Sequence, residues 1–305
     1  MTDVTQEQVP AAGKLNLDHV AHFVPHIDTA SAALERLGFT LTPFSAQSHR
    51  LEPGGPVLPA GTGNRCVMLK QGYLEFLTPT GDTPVANQLR GTIKRYVGVH
   101  LIAFGTVMPD IDHARLGKAG FEPLAPVALQ RQIESVSNAD TARFTVVRVA
   151  PGAMAEGRIQ FCQHHTPHLL WQPRWLDHAN RAQALAGVLL CVEDPRGAAQ
   201  RYARFTGLLP QVTGRTWRID TARGFLLFVE PEALTRTFRV TPPTLPWIAG
   251  YILESGDIAT SSHYLHGANC DVTLLKSRRL LVKLPPALGG IAILQPPKSG
   301  ALGFD

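Results

Sequence analysis

Four side chains far apart in the chain occupy matching places in two similar segments. His19 lies in LDHVAHFVP and Glu75 in GYLEFLTP, then His100 in VGVHLIAFG and Gln160 in GRIQFCQHHTP. Glu75 poses the chemical problem, because an unpaired carboxylate in an apolar strand costs several kcal/mol. It needs a cation, a metal or water at an open edge. Two imidazoles, one carboxylate and one amide oxygen make a nitrogen/oxygen donor set with net charge about −1, suited to a divalent ion with solvent in its remaining positions. Zn, Ni, Co, Mn and Fe all suit it. The simpler alternative has His19 and His100 as satisfied core histidines and Glu75 paired with an arginine such as Arg65.

Strand alternation assigns faces. His19 shares a side with Ala21 and Phe23, and Glu75 with Tyr73 and Leu77, whereas His22 points the other way and reads as structural. Asn64 and Arg65, in GTGNRC, are candidates to bind a substrate carboxylate or phosphate. This stretch has the wrong glycine spacing for a dinucleotide fingerprint. Arg158 has the same parity as Gln160 and is expected to face the same space and hold an anion. His164 and His165, just beyond Gln160, suit a hydrogen-bonding role at a junction, and Trp171 and Trp175 suit packing between domains.

The elements that position these residues recur four times, near Leu17, Gly98, Leu185 and Trp247, at a period of roughly 60 to 90 residues. Each copy has an opening strand, an amphipathic helix ending near a glycine such as Gly38 or Gly120, and further strands closing on a GxLxFxxP-like line. The third and fourth copies place Gly187 and Leu227, then about Gly250 and Ala292, where the first two have polar groups. A chain of 305 residues exceeds the usual size of one core. The expected division is a flexible tail over 1–14, a metal-binding domain over 15–165, a junction over 166–183 and a degenerate domain over 184–305, two modules per domain.

Composition sets the boundaries of function. Apolar residues are 44% and charged residues 17%, as in globular proteins. The formal charge of +5 comes mostly from scattered arginines, which suits a solvated surface or small anionic ligands better than a nucleic-acid groove. Four dispersed cysteines without a CxxC pair indicate free thiols in a reducing compartment. The polar N-terminus lacks a signal core, and no apolar run approaches the ~18 residues of a membrane span. A cytoplasmic protein is expected, with a small-molecule substrate, no nucleic-acid or membrane partner, and room for a homodimer.

These segments, LDHVAHFVPHIDTASAALERLGF with GYLEFL above all, resemble the vicinal oxygen chelate superfamily, which includes glyoxalase I, extradiol dioxygenases and bleomycin-resistance proteins. More narrowly, they resemble the glyoxalase-like proteins of bacteria, from Leu17 to about Gly300. The resemblance implies an α+β fold of four βαβββ modules, paired into two glyoxalase-like domains with U-shaped mixed and antiparallel sheets around a divalent metal. It maps the ligands to His19, Glu75, His100 and Gln160, with Glu75 also as catalytic base. Gln160 stands where glyoxalase I has a carboxylate that can act as the base, so glutathione-dependent glyoxalase chemistry is not expected. A metal-dependent isomerase, epimerase or lyase on a small oxygen-bearing substrate comes first. The alternatives are an Fe(II) extradiol-type dioxygenase and a non-catalytic binding or resistance protein.

Overall fold

The computed structural model describes residues 5–49, 55–134, 139–275 and 277–304. The first module comprises β1 (Asn16–Phe23), α1 (Ile27–Arg36), β2 (Ser45–His49), β3 (Leu58–Met68) and β4 (Tyr73–Pro79). After α2 (Pro84–Arg95), the second has β5 (Gly98–Gly105), α3 (Pro109–Lys118), β6 (Val127–Glu134), β7 (Ala139–Arg148) and β8 (Arg158–His164). A short α4 (Pro167–Leu170) precedes the third: β9 (Ala182–Cys191), α5 (Pro195–Thr206), β10 (Pro210–Thr213), β11 (Thr216–Asp220) and β12 (Phe225–Val229). Following α6 (Pro231–Phe238), the fourth has β13 (Trp247–Ser255), α7 (Ile258–Gly267), β14 (Val272–Leu274), β15 (Leu280–Lys283) and β16 (Ile291–Gln295). All four are βαβββ units.

Local chemistry explains the helices. Asp194 caps α5 by accepting from the Gly197 N–H, and Ala198, Ala199, Tyr202 and Phe205 form its buried stripe. Gly207, at φ 74°, ends it in the left-handed conformation that glycine adopts without strain.

In the first half, β1 runs parallel to β4, and antiparallel pairing continues through β3, β2, β6, β7 and β8. Strand β8 is parallel to β5, and β5 pairs antiparallel with β1, closing a ring of eight strands. The expected U is therefore shut at its mouth by β2 and β6. The second half is an open U centred on β9 and β13, with β10 and β14 at its ends. Pairing of Ile248 on β13 with Val99 on β5 joins the halves into a single 16-stranded sheet, and isolated bridges from Asn16 to Arg223 and from Gln71 to Ala184 add to it.

The outer faces share one apolar cluster that takes Val20, Leu74 and Ile102 from the first half and Val188, Leu190 and Leu253 from the second. Trp171 and Trp175, expected between the domains, instead belong to the inner cluster of the first half. Trp171 Nε1 donates to Leu69 O (3.1 Å), which turns the ring inward. The segment expected to be a loose tail is tied down where it is described: Gln8 is buried, donates to Lys70 O (2.6 Å) and accepts from the Gly72 N–H (3.1 Å). Residues 1–4 lie outside the described residues. Cys66, Cys162, Cys191 and Cys270 are free thiols. Among the described residues, no helix is long and apolar enough to cross a membrane.

Candidate active site in the N-terminal cup

The eight-stranded ring encloses a cavity of about 380 Å³. Its wall includes His19, Asn64, Glu75, Arg158 and Gln160 among the residues expected from the sequence. The register accounts for this. Ala21 pairs with Glu75 and Ala103 with Gln160, which sets Glu75 and Gln160 at equivalent points of the two modules.

The same register excludes His100. Leu101, two residues before Ala103, is the counterpart of His19, and Leu101 lines the cavity. His100 is one residue off, and a one-residue offset turns a strand side chain to the other face. It is buried outside the cup, stacked on Tyr96 at 3.8 Å, with Nε2 2.8 Å from Tyr96 O. The expected four-ligand set therefore does not assemble. Arg65 is also displaced, because it follows Asn64 directly on β3 and so faces outward. It does not line the cavity and does not pair with Glu75.

Two irregularities in β1 and β5 shape the site. Between Leu17 and His19 the register with β5 shifts, which makes Asp18 the extra residue of a bulge, and bulges re-aim side chains. Asp18 consequently lies beside His19 and is fully buried. Its Oδ2 accepts from His19 Nδ1 (2.6 Å) and His164 Nε2 (2.9 Å). Burial alone would raise the Asp18 pKa, but His164 and His19 outweigh it and hold the carboxyl well below the usual carboxylate range. A carboxylate can only accept, so the proton of neutral His19 resides on Nδ1 and the lone pair of Nε2 faces the cup. Tyr73 stacks on the ring at 4.3 Å and fixes its plane.

Glu75 is held with one oxygen engaged and one open. Oε1 accepts from Asn64 Nδ2 and from Gln47 Nε2 (3.2 Å). Arg131 Nη1 in turn donates to Asn64 Oδ1 (2.8 Å), which fixes the orientation of the amide. Oε2 lies 4.0 Å from His19 Nε2. The apolar strand tolerates its carboxylate because two amide side chains and the cavity receive it.

His19 Nε2, Glu75 Oε2 and the Gln160 amide line one cavity, and none has a hydrogen-bond partner among the described residues. One nitrogen and two oxygens with solvent beyond them fit a divalent ion, and a carboxylate on the far nitrogen of a ligating histidine is the common support for one. A second group could also hold an ion: Asp18, Cys162 and His164 each offer a ligand atom, all within 4.8 Å of one another. Burial, with Asp18 adding, raises the Cys162 pKa well above its ordinary value, so the thiol is neutral without a cation. Sequence reasoning missed Asp18, Gln47, Arg131 and Arg148. The acidic residue next to His19 in LDH is the available signal for Asp18.

A sequence-family profile described as a glyoxalase-like domain matches residues 17–206. The chain belongs to the glyoxalase-like domain family. That match spans the first two modules and runs to the end of α5. A hypothetical protein from Staphylococcus aureus has the same fold as this glyoxalase-like chain, with TM-score 0.60 and 10% identity over 92% of this chain and 99% of that one. A mutant of 4-hydroxymandelate synthase from Streptomyces coelicolor gives 0.56 and 14% over 95% and 94%. The Mn(II)-bound glyoxalase from Novosphingobium aromaticivorans gives 0.53 and 8% over 92% and 81%. No curated protein sequence matches the chain significantly.

Proposed function

We propose that this glyoxalase-like protein is a metal-dependent isomerase, epimerase or lyase acting on a small oxygen-bearing substrate bound in the first-half cup. The observation that carries the reading is the facing pair of open atoms, His19 Nε2 and Glu75 Oε2, 4.0 Å apart, the imidazole anchored behind by Asp18. His19, Glu75 and Gln160 would hold a divalent ion, Zn, Ni, Co, Mn or Fe. When bound, such an ion polarises a substrate oxygen and stabilises negative charge developing next to it. Glu75 would move the proton in turn: while Asn64 and Gln47 hold Oε1 still and His19 and Gln160 keep the ion, its Oε2 takes the proton from the substrate carbon next to an oxygen and returns it. Asp18 keeps His19 in the tautomer that presents a lone pair.

The donor set favours proton chemistry over the dioxygenase alternative. A 2-His-1-carboxylate iron centre needs a second imidazole, and neither His100 nor His164 lines the cavity with His19 and Glu75. Two measurements test the proposal. Elemental analysis of protein purified without chelators should find about one divalent ion per chain. Deuterium uptake from D2O into a panel of small 2-oxo and 2-hydroxy carbonyl compounds, followed by NMR, should reveal exchange that falls roughly 10²–10⁴-fold in Glu75→Gln while ion content persists. Absence of both ion and exchange would leave only the sequestration reading standing.

A further inference from the structure

The cup wall around Gln160 carries a charge that proton transfer does not use. Arg148 ends β7 directly across from Gln160 on β8, and Arg158 opens β8 two residues earlier. Both line the cavity beside Gln160. Among the described residues, neither guanidinium has a carboxylate partner. Arg158 donates to Gln88 Oε1 (3.3 Å) and lies over the Phe23 ring at 5.7 Å. Among the described residues, Arg148 makes no side-chain hydrogen bond, and its Nε is buried without a partner. Arg131, by contrast, spends its charge on Asn64 and on Cys66 Sγ (3.6 Å).

Two unpaired cations on adjacent strands repel each other and lose hydration, and both effects oppose folding. The cavity holds three arginines against the single carboxylate of Glu75. An oxyanion with two or three acceptor oxygens reverses both penalties, and forked guanidinium donors match its geometry. We propose that Arg148 and Arg158 form the seat for an anionic group of the substrate, a carboxylate or a phosphate, with the remainder of the molecule against Leu77, Leu101, Val127 and Leu129. Neighbouring strands lie about 5 Å apart, so the charge sits within a few bonds of the atom that reaches Gln160. The substrate class is a short oxygenated acid or phosphate with an apolar tail. This inference rests on the first-half cup being the substrate site.

Calorimetric titration of the full chain with phenylacetate, phenylphosphonate and the neutral twin phenylacetamide tests it without turnover. The anions should bind once per chain and at least tenfold more tightly than the amide, with the tighter anion distinguishing a carboxylate from a phosphate seat. Arg148→Met and Arg158→Met should each weaken anion binding tenfold or more and leave the amide unchanged. If either fails to fold, Arg148→Lys and Arg158→Lys, which keep a point charge without the fork, should retain part of the affinity. Equal binding of amide and anions, or full anion affinity in both folded methionine variants, would overturn the seat. Anion binding without deuterium exchange would overturn the proton-transfer reading alone, and exchange with charge-blind binding would overturn the seat alone.

Discussion

Asp18→Asn probes the cup from behind. The carboxylate accepts from both imidazoles through Oδ2, at 2.6 and 2.9 Å. Hydrogen bonds to a charged group contribute about 1.5–3 kcal/mol each, against about 1 kcal/mol for a neutral one. Downgrading both therefore costs about 1–4 kcal/mol of stability. The larger consequence is electronic. Both imidazoles meet the same oxygen; where the new amide turns its nitrogen to that place it can only donate, so both must accept, and for His19 that moves the proton to Nε2. The lone pair offered to the cup then becomes an N–H. Loss of such a support typically weakens metal binding roughly 10–100-fold, about 1.4–2.8 kcal/mol. The assay combines titration with Mn²⁺ and Zn²⁺, nitrogen NMR of the His19 tautomer and urea unfolding at neutral pH. Cys162→Ser is the control: an ion held by His19, Glu75 and Gln160 is indifferent to it, whereas one held by Asp18, Cys162 and His164 is not. The reasoning fails if folded Asp18→Asn keeps the proton on Nδ1 and binds metal within twofold of the parent chain.

Three further outcomes follow from the buried histidines and the register. His100→Ala should leave metal stoichiometry unchanged while costing about 2–4 kcal/mol in denaturant unfolding, as deletion of a buried, stacked ring does. Leu101→His, at the true counterpart of His19, should instead tighten metal binding about tenfold, since it supplies a fourth donor; unchanged affinity would place Leu101 outside the ion's reach. Burial lowers His22 and His100 to about 4, each offset by one backbone hydrogen bond, and His100 further lowers His22. The unfolded chain takes up these protons near pH 6.5 and the folded chain only near pH 4, so stability is full above about 6.5 and declines as pH falls to about 4, by about 3 kcal/mol per histidine. Urea midpoints across that window measure it, and a flat profile in the parent chain would contradict the burial.

The repeat was legible because each module switches from alternation to a helical stripe and stops at a glycine. Glu75 and Gln160 were legible because they hold matching places in the closing strands of two modules, and Arg158 through its parity with Gln160, as all three lie in regular stretches of β4 and β8. His100 and Asp18 were not, for one shared reason. Bulges where β1 meets β5 break parity, and nothing in HVAHF or VHLIA marks where the extra residue falls. Arg65 was misassigned beside Asn64 although adjacent strand residues cannot face the same side. Arg148 escaped notice because its relation to Gln160 exists only in the pairing of β7 with β8.

The closed circuit of the first eight strands has a consequence for association between chains. Every strand around the cavity already has a neighbour on both flanks, so none offers a row of unsatisfied backbone groups to another polypeptide. The two open borders of the sheet, β10 and β14, belong to the other half, and each displays an uncovered aliphatic side chain: Val212 at 63% exposure and Leu274 at 64%. Any edge-to-edge docking is thereby confined to the half without ligands, and the chamber that holds His19 and Glu75 is kept clear of it.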